Sequence, residues 1–157
     1  MIIHLRSLGF TQPELVRLYK TVVRPVAEYC AVVFHSQLTD EQDTMLERLQ
    51  NHALKLIYGP GISASRMRLL ADIPTLRERR ISLCDKFSAK AAVSARFCRW
   101  FPLRGGRRPT RGALKYEETF ARCDRLRNSP IHYMRRRLNG KPGRIYSNIT
   151  SNFWKQR

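Results

Sequence analysis

Asp40, Glu41 and Asp43 place three carboxylates within four residues, and oxygen ligands so close together could hold a hard cation. They follow Thr39 in a Thr-x-x-Gln frame, however. Acidic side chains in the first turn of a helix offset its macrodipole, and that is the reading we take. The cysteines at 30, 84, 98 and 123 include no short-spaced pair, so a zinc site would have to gather distant positions or recruit His52 or His132. None of the four histidines has a serine or cysteine partner at an interpretable spacing, so no nucleophile is assigned. Gly59-Pro60-Gly61 and Gly105-Gly106 lack the Gly-Lys-Ser/Thr that would make them phosphate loops, and read as a helix stop and a hinge. We therefore expect no catalytic residue, no metal, no cofactor and no small-molecule substrate.

The basic residues carry a stronger signal. Thirty Lys and Arg against twelve Asp and Glu leave a formal charge of +18 over 157 residues. Residues 1–95 hold 13 basic and 9 acidic side chains, net +4, whereas residues 96–157 hold 17 and 3, net +14. Most are arginine, whose planar fork grips phosphate in two places and stacks on bases, so RNA or DNA is favoured as partner over a membrane surface.

Three groups of basic side chains are candidates. Arg17, Lys20 and Arg24 form a stripe at helical spacing, readable as a face for a duplex backbone or as a solvated surface; Arg24 and Glu28 can also pair at i,i+4. Arg104, Arg107, Arg108 and Arg111 lie in the segment LRGGRRPTRGALK, and Arg135, Arg136 and Arg137 are consecutive. Trp100, Phe101, Tyr116, Tyr133 and Tyr146 interleave with these charges, and Trp100 and Tyr133 are the candidates for stacking on unpaired bases. Gln50 and Arg80 fall on apolar helix sides, where burial demands partners. Gln50 is expected to bond backbone at a helix crossing, and Arg80 to pair with Glu28, to snorkel, or to face nucleic acid.

The elements that must position these side chains read as all-α, a small helical bundle with a basic, partly helical C-terminal extension and a disordered tail. Thr11-x-x-Glu14, Thr39-x-x-Gln42 and Thr75-x-x-Glu78 each fit a capping box ahead of an apolar-periodic run. The first run predicts a helix over 12–35 with Leu15, Tyr19, Val22, Val26, Cys30 and Val33 on one side, although Pro25 interrupts it. The second puts Leu46, Leu49, Ala53, Leu56 and Ile57 on one face and stops at Gly59. The third, to about Ser94, aligns Leu76, Leu83, Cys84, Phe87 and Ala91. A short helix is expected near 65–71 and others over 116–127 and 130–138, closed by Asn139-Gly140. From Lys141 a poorly ordered tail is expected, anchored at most by Phe153 and Trp154. This divides the chain into a helical pair over 1–62, further helices over 63–101, and the basic connector, short helices and tail over 102–157. Residues 1–10 are broken by His4, Arg6 and Gly9 and do not read as a signal, which places the chain inside the cell, nuclear or cytoplasmic, with reduced thiols.

Taken in order, LRSLGF, LVRLYKTVVRPVAEYCAVVF, LERLQNHALKLIYG, IPTLRERRISL, RFCRWFP and SPIHYMRRRLN resemble the C-terminal region of the reverse transcriptase of non-LTR (LINE-like) retrotransposons, over about Leu5 to Asn139. The resemblance implies that the first two helices are thumb-like, packing beside a polymerase palm and following the primer–template duplex, and that the basic part is a post-thumb extension. It also implies that Pro25 kinks a thumb helix. The sequence has no adjacent Asp-Asp pair to hold the two magnesium ions of nucleotidyl transfer, so the chain is expected to be noncatalytic, a truncated or decayed fragment of the element. Two alternatives stand beside nucleic-acid binding by such a fragment: a structural module bracing the palm, and a free-standing basic RNA-binding protein.

Overall fold

A computed structural model of the chain describes residues 1–104, 115–118 and 120–140, and every regular element among them is helical. The fold is all-α as expected; the β feature is an isolated antiparallel bridge between Leu103 and Tyr116. The helices are α1 (Ile2–Ser7), α2 (Gln12–Leu18), α3 (Arg24–Glu28), α4 (Ala31–Phe34), α5 (Asp40–Tyr58), α6 (Ala64–Ala71), α7 (Leu76–Val93), α8 (Asp124–Arg127) and α9 (Pro130–Leu138). The expected tail from Lys141, with Phe153 and Trp154, lies outside the described residues. The described residues form two compact units, Met1–Ala31 with Leu38–Ser82 and Val32–Gln37 with those from Leu83. The boundary falls inside α7, because Cys84 and Ala91 belong to a hydrophobic cluster separate from that of the first unit.

All three expected capping boxes form. Thr39 and Thr75 accept from the N–H groups of Gln42 and Glu78 at 3.2 and 3.1 Å, and those side chains accept from the threonine N–H groups in return at 3.0 and 3.1 Å. At Thr11 both the N–H and the hydroxyl donate to Glu14, at 2.8 and 2.7 Å. These bonds hold the Glu14 carboxyl below its usual range. Such interactions span three residues, so they form wherever the pattern occurs.

Pro25 is accommodated by a change of helix type. Residues Tyr19–Val23 form a π-helical turn, and the Arg24 N–H donates to the Tyr19 carbonyl five residues back. A proline in an unbroken α-helix would leave the carbonyl four residues earlier without its donor and crowd it with the ring. The widened turn ends just before Pro25, which sits in the first turn of α3, where a missing N–H costs little. Thr21 Oγ1 donates back to the carbonyls of Arg17 and Leu18 at 3.0 and 3.3 Å.

That turn also rotates everything after it. A π turn adds one residue to the repeat and moves later side chains about 100° around the axis. Leu15, before it, and Tyr19, its first residue, are buried as expected, but Val22 within it and Val26 after it are exposed, Val26 by 77%, and Val23 packs instead; Cys30 and Val33, past the end of that helix, are exposed as well. The expected single helix ends early as well: Tyr29 turns extended and Cys30 takes a left-handed φ of 55° before α4 begins.

The core of the first unit joins Ile2, Leu15, Val16, Tyr19, Ala53, Leu54, Ile57, Met67, Ala71 and Ile73. On α5 the buried line is Asp43, Gln50, Ala53, Leu54 and Ile57, which keeps Ala53 and Ile57 of the expected apolar face, with Leu56 packed beside them, but not its N-terminal leucines. Leu49 is 62% exposed and Leu46 only half-buried; tertiary packing selects the face carrying Gln50 and Asp43 because both find partners there. Tyr19 Oη donates to Gln50 Oε1 at 3.1 Å, and Gln50 Nε2 donates to the Pro74 carbonyl at 3.0 Å, the backbone bond expected of it. Arg80, with no exposed surface, donates through Nη2 to Asp43 Oδ1. Its expected partner, Glu28, is taken by the neighbouring Arg79, whose Nε lies 3.2 Å from Oε1. Asp43 is therefore the buried counter-ion of α7 and not just a first-turn acid.

The second unit packs Cys84, Ala91, Phe101, Tyr116, Tyr133 and Met134, with Val32, Phe87, Phe97 and Leu138 against them. Leu76, Cys84 and Ala91 are buried along α7 and Phe87 is half-buried, as its periodicity predicts. Asn139 and Gly140, the latter at φ 73°, close α9 where expected.

Candidate nucleic-acid interface

The arginine-rich helix α9 starts after Ser129 with Pro130 in its first turn and buries Tyr133 and Met134. Its three consecutive arginines point in different directions, as steps of about 100° require. Arg135 Nε donates to the Trp100 carbonyl at 2.7 Å and Nη1 to the Glu117 carbonyl at 3.4 Å. Arg136 Nη2 donates to the Arg127 carbonyl at 3.0 Å. Arg137 makes a two-pronged pair with Asp85, its Nε 2.8 Å from Oδ1, and that pairing raises the guanidinium's pKa further. The triplet thus ties α9 to the backbone and to α7.

The basic connector is anchored at both ends. The Arg104 N–H donates to the Lys115 carbonyl at 3.1 Å and the Glu117 N–H to the Pro102 carbonyl at 2.9 Å. Asn139 clamps the backbone of Tyr116, its Oδ1 accepting from the Tyr116 N–H at 2.9 Å and its Nδ2 donating to the Tyr116 carbonyl at 3.1 Å. Arg104 is exposed; Arg107, Arg108 and Arg111 lie outside the described residues, as does Tyr146.

Of the two candidate stacking residues, one keeps a free surface. Trp100 is 40% exposed, with Phe97 against it at 4.8 Å between ring centroids. Tyr133 is 3% exposed: its ring meets His35 edge-on at 5.3 Å and its hydroxyl lies 3.2 Å from His35 Nε2. We correct the expectation for Tyr133, since a core ring offers no face to a base.

In the first unit, Arg17 is exposed and Lys20 half-buried, while Arg24 pairs with Glu28 at 3.3 Å. The π turn between Arg17 and Arg24 breaks their helical spacing, and Glu28, shared with Arg79, offsets the charge of Arg24. Arg17 and Lys20 are what remains of the stripe.

Sequence reasoning passed over Arg96, Arg99, Arg122, Arg125 and Arg127, all exposed in the second unit, because they stand singly. It also missed Asp85 and Asn139; that acids are so scarce after residue 84 was the only available signal for Asp85. His132 is held below the usual imidazole range by burial and by the charges of Arg135 and Arg136. Among the described residues no three His, Cys, Asp or Glu side chains gather as metal ligands would, and no helix is long and apolar enough to cross a membrane. No protein-family model, curated protein or solved structure matches this chain.

Proposed function

We propose that the chain binds RNA or DNA through the basic surface of residues 96–157, as a noncatalytic thumb and post-thumb fragment of a LINE-like reverse transcriptase, nuclear or cytoplasmic. The observation that carries the binding reading is the net +14 of those residues, with exposed arginines beside exposed aromatic rings. Phosphate neutralisation supplies affinity without sequence preference, and rings add sequence-tolerant stacking on single strands. The origin rests on the ordered motif resemblance.

Salt titration tests it. If about six phosphates are neutralised, log K falls against log salt with a slope of about −4 on single strands and −5 on duplex. Serine at Arg104, Arg107, Arg108 and Arg111 together flattens that slope by two or more while circular dichroism keeps its helical shape. Parent-like binding by this variant, with binding abolished on substituting Arg17 and Lys20, would move the interface to the first unit.

A second reading, a module bracing a polymerase palm, draws on a different observation. Val22, Val26 and Tyr29 are exposed apolar side chains on the first unit, of the kind a docking face against another domain would use.

A further inference from the structure

The second unit contains a cleft of about 290 Å³ lined by Glu118, Phe120, Ala121, Arg127, His132 and Arg136. Phe120 is 86% exposed, a bare aromatic ring beside two guanidinium groups. Arg127 is tied to Asp124 at 3.1 Å, but both side chains are more than half exposed, and such a pair is readily exchanged for a phosphate. Arg136 donates Nη2 to the Arg127 carbonyl, which fixes its guanidinium on this wall of the cleft. The cleft has room for one nucleotide but not for a duplex, whose stacked bases would in any case hide their faces.

We propose that this cleft seats one unpaired nucleotide of a single strand, its base against the ring of Phe120 and its phosphate between Arg127 and Arg136. This deepens the nucleic-acid reading and rests on it. Glu118, whose Oε1 accepts from Asn139 Nδ2 at 2.9 Å, stands where a carboxylate would repel phosphate but accept from base amino groups, which orients the nucleotide with its base toward Glu118.

The test uses the full chain with two probes of equal length, a single-stranded oligonucleotide and its abasic sugar-phosphate counterpart. The parent should prefer the base-bearing strand by about five- to a hundred-fold. Phe120→Ala, a change at an exposed ring, should lose most of that preference and keep the salt slope, whereas Arg127→Gln should keep the preference and flatten the slope by about 0.7. Equal affinity of the parent for both probes overturns the cleft while leaving general binding intact. So does a preference that survives Phe120→Ala and disappears in Trp100→Ala, since the base then lies on Trp100. Failure of the parent to bind either probe overturns the nucleic-acid reading itself.

Discussion

At the scale of single residues, Tyr19 shows how burial becomes a pH response. Its ring is in the core and its hydroxyl bonds Gln50, so the phenolate is disfavoured. Burial pushes the Tyr19 pKa up to about 12, with Glu28 and Glu47 adding to the rise and Arg24 opposing it. A folded pKa above the unfolded value of about 10 means that the unfolded chain loses its proton first. The stability contribution is whole below pH 10 and is lost as pH rises toward 12, a difference on the order of 2 kcal/mol. Urea midpoints from pH 8 to 11.5 should fall more steeply for the parent than for Tyr19→Phe, which at pH 8 should cost about 0.5–1.5 kcal/mol for its lost hydrogen bond. Identical pH slopes would refute the role given to this hydroxyl. Tyr58, also raised by burial, accounts for some of the slope that remains. Gln50 and Arg80 were legible as polar groups needing partners, because a helical wheel identifies the apolar side. Which carboxylate meets Arg80 was not, since Asp43 and Glu28 lie 37 and 52 positions away and only packing chooses between them.

At the scale of elements, legibility follows the range of the interaction. The three capping boxes and the closing Gly59 and Gly140 are local and were readable. The π turn was not, because it arises from the proline's missing N–H together with the burial of Tyr19, and it displaced every later position on that helix. The break at Cys30 is local but carries no sequence mark: a glycine or asparagine would have announced the left-handed φ of 55°, and a cysteine does not. A side chain at positive φ costs about 1–2 kcal/mol, offset in glycine by the entropy of its unfolded state. Cys30→Gly should therefore leave stability unchanged or raise it by up to about 1 kcal/mol, and Cys30→Val, β-branched, should lower it by more than 1 kcal/mol. Both are read from urea midpoints. A glycine variant markedly weaker than the parent would mean that the thiol makes contacts outweighing the backbone strain.

At the scale of the whole molecule, charge and fold have to be separated, because the +18 belongs to the composition and persists when the chain unfolds. A featureless polyanion has no reason to prefer the folded state: it meets as many arginines on the open chain. A ligand stabilises only by binding the native state better than the unfolded one. Arginines already engaged in the fold, such as Arg137 on Asp85 and Arg135 on the Trp100 carbonyl, are released by unfolding, which tilts polyanions further toward the open chain. A single strand that also uses the placed ring of Phe120 and the paired guanidinium groups of Arg127 and Arg136 depends on the folded arrangement, which the open chain lacks. Urea unfolding with a polyphosphate should thus give a midpoint equal to or below that of the protein alone. An oligonucleotide at a hundred times its Kd should raise stability, by at most about 2.7 kcal/mol and by less as the unfolded chain competes. In Phe120→Ala the two polyanions should become alike. If polyphosphate stabilises the parent as much as the oligonucleotide does, binding is electrostatic alone, and the folded surface contributes nothing to recognition beyond its charge.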